Sequence, residues 1–191
     1  SFNPKDVEEL VAKNFDYEII ERELSASNQI ERLNAIIFGL DNSTLISYVL
    51  YVLRNVKDIN EQNNIFKFLE AYIMRRMVVH TTNKNYNQLF TERFIGNQLL
   101  TVEGIKDFIE KSTDTSTFIP SDADVLEGFN RAILINKQSA GILYLLESKH
   151  RKVHFHSTGL LGINKYSLEH LMPKKWSNNW GSLSTQDEII N

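Results

Sequence analysis

The segment Asn42–Val56 is apolar on almost every side: Leu45, Ile46, Tyr48, Val49, Leu50, Tyr51, Val52 and Leu53 leave a helix there with no wet face. Such a helix has to lie at the centre of a bundle, and the same periodicity supplies its neighbours. Asn3-Pro4 is a helix start: Asn accepts from a free backbone N–H, and Pro at the first helical position lacks a donor that would go unpaired. Asp6, Glu8 and Glu9 then sit at the positive end of the helix dipole. A second helix is predicted over Asn28–Phe38, with Ile30, Leu33, Ile36 and Ile37 on one side and Gly39 as terminator. Further helices are predicted over Asn60–Val79, Asn85–Leu99, Val102–Ile109, Asp122–Ile135 and Gln138–Leu146. The polar stretch Ser112–Ser121, with Pro120, reads as a connecting loop. With 8 Gly and 3 Pro in 191 residues there is little punctuation, which favours long helices over many short strands.

Beyond Glu147 the pattern changes. Val153–Ser157 alternates apolar and polar residues, and Lys165–Leu171 reads as a short strand or extended segment before Pro173. The expected fold is therefore mainly α, a bundle of helices over residues 1–147, with a short, incomplete β element in residues 148–191. That second part is too short to hold a core of its own.

Composition excludes several classes. The absence of cysteine removes disulfides and thiolate metal sites, and it fits a reducing cytoplasm, the expected location. No uninterrupted apolar run reaches membrane-spanning length; the richest, Leu45–Leu53, is short and contains Ser47, so no membrane partner is expected. The Ser1-Phe2 start carries neither an initiator Met nor a signal peptide, and the chain is expected to be excised from something longer. A net charge of −3 does not point to nucleic acid, but its distribution is uneven. Acidic residues crowd the N-terminus, whereas Lys149, Arg151, Lys152, Lys165, Lys174 and Lys175 stand against Glu169 alone. Such a patch can track phosphates, although a solvated face explains most charge runs.

Glu169-His170, followed by Pro173, Trp176 and Trp180, is the most informative constellation. Phosphodiester hydrolysis needs a base to activate water and a cation to neutralise developing charge. A histidine, neutral near pH 7, suits the first role, and a carboxylate suits a hard cation such as Mg²⁺. Adjacent side chains on a regular strand point to opposite faces, so the two residues can share a site only at a bend or strand end.

The segment YSLEHLMPKKWSNNW, Tyr166–Trp180, resembles the "sIEHImPq…W" signature of the HNH (His-Me finger) nuclease domain of GmrSD-type modification-dependent restriction endonucleases. Upstream, FLEAYIMRRMVVHTTNKNYNQLF, Phe68–Phe90, resembles the "ie.yl.RR.i.g..t..lnk.f" stretch of the helical region joining that family's N-terminal nucleotide-hydrolysing domain to its nuclease. Two resemblances in the family's order are more specific than either alone, while the chain before about residue 60 matches only as generic helices. The resemblance implies that His170 is the general base and that Glu169 stands where the metal-binding carboxylate is expected. From their charge alone, Lys174, Lys175, Arg75 and Arg76 are candidate phosphate contacts. The resemblance also implies Mg²⁺ as cofactor, DNA and the nucleotide-hydrolysing domain as partners, and a role in bacterial restriction or phage defence. The family's downstream "LGNLTL…N…SN…K" pattern and its "DGQQR"-like motif do not occur in the chain. This fragment is accordingly expected to be inactive alone.

Simpler readings stand beside these. Arg75 and Arg76 can complement a helix C-terminus and cover core surface with their stems, or take part in a structural ion pair. His154 and His156 would share a strand face, but a third metal ligand would have to come from His150 or His170. His80 is expected in the loop after the arginine helix. Trp176 and Trp180 read as packing residues in preference to base-stacking platforms, and Tyr48, Tyr51, Phe66, Phe68, Tyr72 and Phe94 as core. The alternative function is a non-catalytic helical module that binds protein or DNA.

Overall fold

Side-chain caps start most of the helices. In the computed structural model, which describes residues 3–24, 28–114, 117–131, 134–151 and 159–169, Asn3 accepts from the Lys5 N–H at 3.2 Å to open α1 (Pro4–Asn14). Asn28 accepts from Glu31 N at 3.3 Å to open α2 (Gln29–Asn34), which widens into a π-helical turn over Ala35–Gly39. A 3-10 turn, Ser43–Leu45, leads into α3 (Ile46–Asn55). Asp58 caps the long α4 (Ile59–Val78) through Asn60 N at 2.9 Å, and Thr101 caps α5 (Val102–Lys111) through Gly104 N at 3.1 Å. Ser121 and Asp124 exchange bonds at the head of α6 (Asp122–Arg131), Ser121 N–H donating at 2.8 Å and Asp124 N–H at 3.2 Å. Each cap satisfies a donor that the helix itself leaves unpaired. Among the described residues the last long helix, α7, covers Asn136–His150.

The protein is a mainly α bundle. Helix α4 packs against α2, α5 and α6, and α3 lies between α1 and the helical segment Gln88–Ile95. That segment is π-wound, an uncommon geometry, and it directs Leu89, Phe90 and Phe94 into the core. There the rings form a continuous cluster: Tyr48 lies 5.2 Å from Phe94 and 6.3 Å from Phe90, and Phe94 meets Phe108 edge-on at 6.1 Å. The Tyr48 hydroxyl donates to the Leu99 carbonyl at 2.6 Å, so its polar tip has a partner although burial raises its pKa. Helix α3 is central but not fully encircled. Tyr48, Val49 and Val52 are buried, Leu50, Tyr51 and Leu53 are half-buried, and Ser47, Arg54 and Asn55 meet solvent.

Three elements are joined by a buried ion pair. Arg32 on α2 is 0% exposed and Glu70 on α4 is 3% exposed. The Arg32 Nε donates to both Glu70 oxygens at 2.9 Å, and Nη2 donates to Oε1 at 2.7 Å. Its remaining reach goes to α7: Nη1 to Ser148 Oγ and Nη2 to the Leu145 carbonyl, each at 2.9 Å. Ser148 Oγ in turn donates to Leu145 O at 2.8 Å. The boundary expected after residue 147 thus falls inside α7, and Ser148 belongs to the buried interior.

No strand occurs among the described residues. Val153–Ser157 lies outside them. Of Lys165–Leu171, the described part is the end of a 3-10 turn, Ile163–Lys165, followed by irregular chain with no ladder partner beside it. Of the helix expected to run from Asp122 to Ile135, the described part is Asp122–Arg131, and Ile135 is extended, at the head of α7. No helix among the described residues is long and apolar enough to cross a membrane.

Two substitutions test this packing. Arg32→Met strands the Glu70 carboxylate and should lower urea-unfolding stability by about 3–5 kcal/mol, while Arg32→Met/Glu70→Leu restores most of the loss. Gly128 on α6 sits where a Cβ would come 2.6 Å from the Val78 carbonyl oxygen. Gly128→Ala should therefore destabilise by about 1–3 kcal/mol, although in an open helix the same change would stabilise by about 1 kcal/mol.

Candidate functional site

The residues leading to Glu169 are seated on the bundle by a close backbone approach. A Cβ on Gly162 would lie 2.3 Å from the Ile20 carbonyl oxygen, so only glycine lets residues 159–165 run against the 3-10 turn Tyr17–Ile20. Ile163 then packs over Gly39, whose missing side chain leaves its place to the isoleucine methyls. Leu160 and Ile163 are buried in the same core cluster as the helices. Polar contacts complete the seat. Lys165 pairs with Glu21 at 2.5 Å, the Asn164 amide donates to the same carboxylate, and Leu161 N–H donates to the Tyr166 hydroxyl at 2.9 Å. The Tyr166 ring meets Tyr144 of α7 at 5.7 Å.

Glu169 follows on the exposed side of this seat and accepts from Ser167 Oγ at 3.1 Å. It offers a hard oxygen donor, and Ser167 a neutral one. The described residues contain no group of three His, Cys, Asp or Glu side chains able to hold a metal. His170, Lys174, Lys175, Trp176 and Trp180, like His154 and His156, lie outside the described residues.

Beside the seat is a cleft of about 460 Å³ lined by Tyr17, Phe38, Asn136, Lys137, Asn164 and Tyr166 among others. Lys137 and Asp41 form an ion pair at its edge, which neutralises the lysine charge there. The cleft is mixed in character and presents no concentrated charge to a phosphate. Of the basic residues near the C-terminus, Arg151 reaches Glu147 at 3.4 Å and Lys165 is held by Glu21, while Lys149 is exposed.

Arg75 and Arg76 lie at the end of α4, as their sequence position implies, and both turn toward the protein. Arg76 is 1% exposed. Its guanidinium donates to the Tyr86 hydroxyl at 3.2 Å and to the carbonyls of Phe118 at 3.2 Å and Thr82 at 3.4 Å. Its carbon lies 5.2, 5.3 and 5.8 Å from the ring centres of Tyr72, Tyr86 and Phe118, within the range where a ring face attracts a cation. Burial raises the Tyr72 and Tyr86 hydroxyl pKa values, and the adjacent Arg76 charge partly offsets this. Arg75 donates to the Pro120 carbonyl at 3.0 Å and pairs with Asp122 at the head of α6. The two arginines fasten the 117–122 loop to α4. A phosphate backbone cannot reach Arg76 in this arrangement, because the group is enclosed by the core. His80 follows α4 in the left-handed region, at φ 59°, and is exposed.

The buried Arg32–Glu70–Ser148 junction had no place among the sequence candidates. A signal for it exists: Arg32 lies in phase with Ile36, and Glu70 with Phe66 and Ile73, so each charge interrupts an apolar stripe at i±3 or i±4. Comparison of the chain with known protein families, with curated proteins and with solved structures returns no match.

The Glu21 contact sets a pH response. Lys165 first, and then Asn164, holds the Glu21 carboxyl below its ordinary 4.5. A depressed carboxyl stabilises the folded contact above its unfolded pKa and loses that contribution as pH falls through the folded value. Hydrogen exchange of residues 159–169, corrected for intrinsic rates, should show protection that persists down to pH 4.5 and falls below it. In Glu21→Gln the neutral-pH protection should be weaker and the acid step absent. The pair is half-exposed, so added salt should weaken the effect.

Proposed function

We propose that the protein carrying this chain is a metal-dependent HNH-type DNA endonuclease of a GmrSD-like restriction or phage-defence system, with His170 as general base and Glu169 as metal-binding carboxylate. The observation that carries the proposal is the Tyr166–Trp180 signature, reinforced by the second resemblance at Phe68–Phe90 in the same order. The seat of residues 159–165 adds a physical support, since a carboxylate that acts on DNA has to leave a rigid base on its solvent side. Glu169 does so.

In this chemistry His170 takes a proton from water as the oxygen attacks phosphorus. Glu169 contributes oxygen ligation, and its Ser167 hydrogen bond orients the carboxylate. Mg²⁺, when bound, neutralises charge on the phosphate and the departing oxygen. One carboxylate is a weak site for that ion, so further ligands have to complete the shell. Lys174, Lys175 and the exposed Lys149 are the basic residues for a DNA backbone in this proposal. Arg75 and Arg76 serve the fold.

The rival proposal, a helical module that binds protein or DNA without cutting, draws support from the internal engagement of both arginines. Cleavage separates the two. With supercoiled plasmid and Mg²⁺, the intact protein carrying this chain should nick or linearise DNA, and His170→Ala should reduce the rate by about 10²–10⁴-fold. Glu169→Gln should raise the Mg²⁺ concentration required. Cutting by His170→Ala at the wild-type rate would rule out the nuclease assignment and leave the binding module.

A further inference from the structure

The end of α4 and the turn that follows Ala35–Gly39 meet the first turn of α7 around a cavity of about 240 Å³. Leu40 and Asn42 line it from the turn, Met77 and His80 from the end of α4 and just beyond, Tyr86 from the chain that follows, and Gln138 from α7. Among the described residues no carboxylate, lysine or arginine lines it, so the cavity suits a neutral polar molecule better than an ion. An apolar cavity of about 150 Å³ holds a benzene ring, so this one has room for a single or fused ring system.

Two of its polar groups are buried and only half used. Asn42 is 4% exposed, and its Nδ2 donates to the Leu40 carbonyl at 2.8 Å, which fixes the orientation of the amide. No protein group donates to its Oδ1 among the described residues, whereas a buried polar atom ordinarily finds a partner in protein, water or ligand. Tyr86, also 4% exposed, accepts from Arg76 Nε at 3.2 Å. Its own proton has no acceptor among the described residues, and the guanidinium behind the oxygen polarises that O–H toward donation. The mouth adds an imidazole held against the preference of the backbone. Thr81 N–H returns to the Arg76 carbonyl at 2.9 Å and closes α4 around His80, whose φ of 59° lies where glycine is least strained. A histidine is less stable than a glycine there, and it places an exposed side chain on the cavity wall.

We propose that this cavity binds a nucleobase. A base is a flat ring with apolar faces and polar edges, and the Watson–Crick edge of every common base sets a donor beside an acceptor. The donor meets Asn42 Oδ1 and the neighbouring acceptor meets the Tyr86 hydroxyl, with the ring against Leu40 and Met77. The Gln138 amide and the His80 imidazole close over the exposed side, where stacking is open to any base. A saccharide, with hydroxyls around its whole rim, would strand several of them against Leu40 and Met77. The base can belong to a nucleoside or to an unpaired position in a strand, since both present the same edge. Neither Glu169 nor His170 takes part, so this proposal and the nuclease reading fail independently.

Adenosine, guanosine, cytidine and thymidine titrated into ¹⁵N-labelled protein test this. At least one should give saturable shifts in the Asn42 side-chain amide and in the backbone resonances of His80, Thr81 and Gln138, and ribose should give none. His80→Gly should weaken that nucleoside about tenfold, the effect of losing one hydrogen bond or stacking contact, while the thermal unfolding temperature stays the same or rises. Gln138→Trp, which fills the mouth from a half-buried position, should abolish the shifts with an unchanged helical circular dichroism spectrum. A single-stranded dodecamer that shifts the same resonances at least as tightly as the nucleoside identifies the occupant as a base in a strand. A dodecamer that binds there more weakly, or not at all, identifies it as a free nucleoside. No saturable shift with any nucleoside, the same shifts from ribose alone, or undiminished binding to either variant while it remains folded overturns the proposal.

Discussion

The Arg32–Glu70 ion pair is the constraint around which the bundle is arranged. Removing two charges from water is costly, and the mutual attraction offsets that cost only when the remaining donors and lone pairs are also met. Here they are met by α7: the Arg32 guanidinium extends past Glu70 to Ser148 and Leu145. The same side chain therefore sets the register of α2 on α4 and of α7 on both. A slide of any one helix by a single turn would leave a buried charge without its partners, whereas apolar contacts alone would tolerate the slide with other leucines and isoleucines in place. Apolar burial supplies most of the favourable energy, and the ion pair selects one arrangement from several that would bury similar area.

Arg76 solves a similar problem in another way. Its charge rests on two carbonyls, a phenol and three ring faces, and through them the 117–122 loop is held against the end of α4. Arg75 extends this attachment to the head of α6, where Gly128 permits the close crossing under Val78. Two neighbouring arginines thus close one end of the bundle, while Arg32 closes the other side through α7. Residues 159–165 rest on a surface made by the 3-10 turn Tyr17–Ile20, the π-turn Ala35–Gly39 and α7.

Helix positions were largely legible because apolar residues at i, i+3 and i+4 give a strong local signal, and Asn3 does cap α1. The π-winding of Ala35–Gly39 and Gln88–Ile95 was not legible, since the same apolar positions suit an ordinary α-turn and the choice depends on what lies opposite. The all-round apolar character of α3 suggested complete burial, yet Leu50 and Leu53 face a thinner side of the bundle. Of the candidate site, the sequence shows the Glu-His pair. It does not show whether a charge points in or out: Arg75-Arg76 and Arg32 look alike on paper, and only the packing of residues far along the chain decides where each guanidinium goes.

That dependence on distant residues has a temporal side. Arg32 meets Glu70 38 positions later, but Ser148 is 116 positions away. On a ribosome adding about 5–20 residues per second, α2 and α4 emerge seconds before α7 does. Until α7 has been made, Arg32 and Glu70 can meet only without the last two acceptors, and water has to stand in for them. The full set of bonds around Arg32 therefore requires Leu145 and Ser148, and so cannot be completed until the chain has been made through α7.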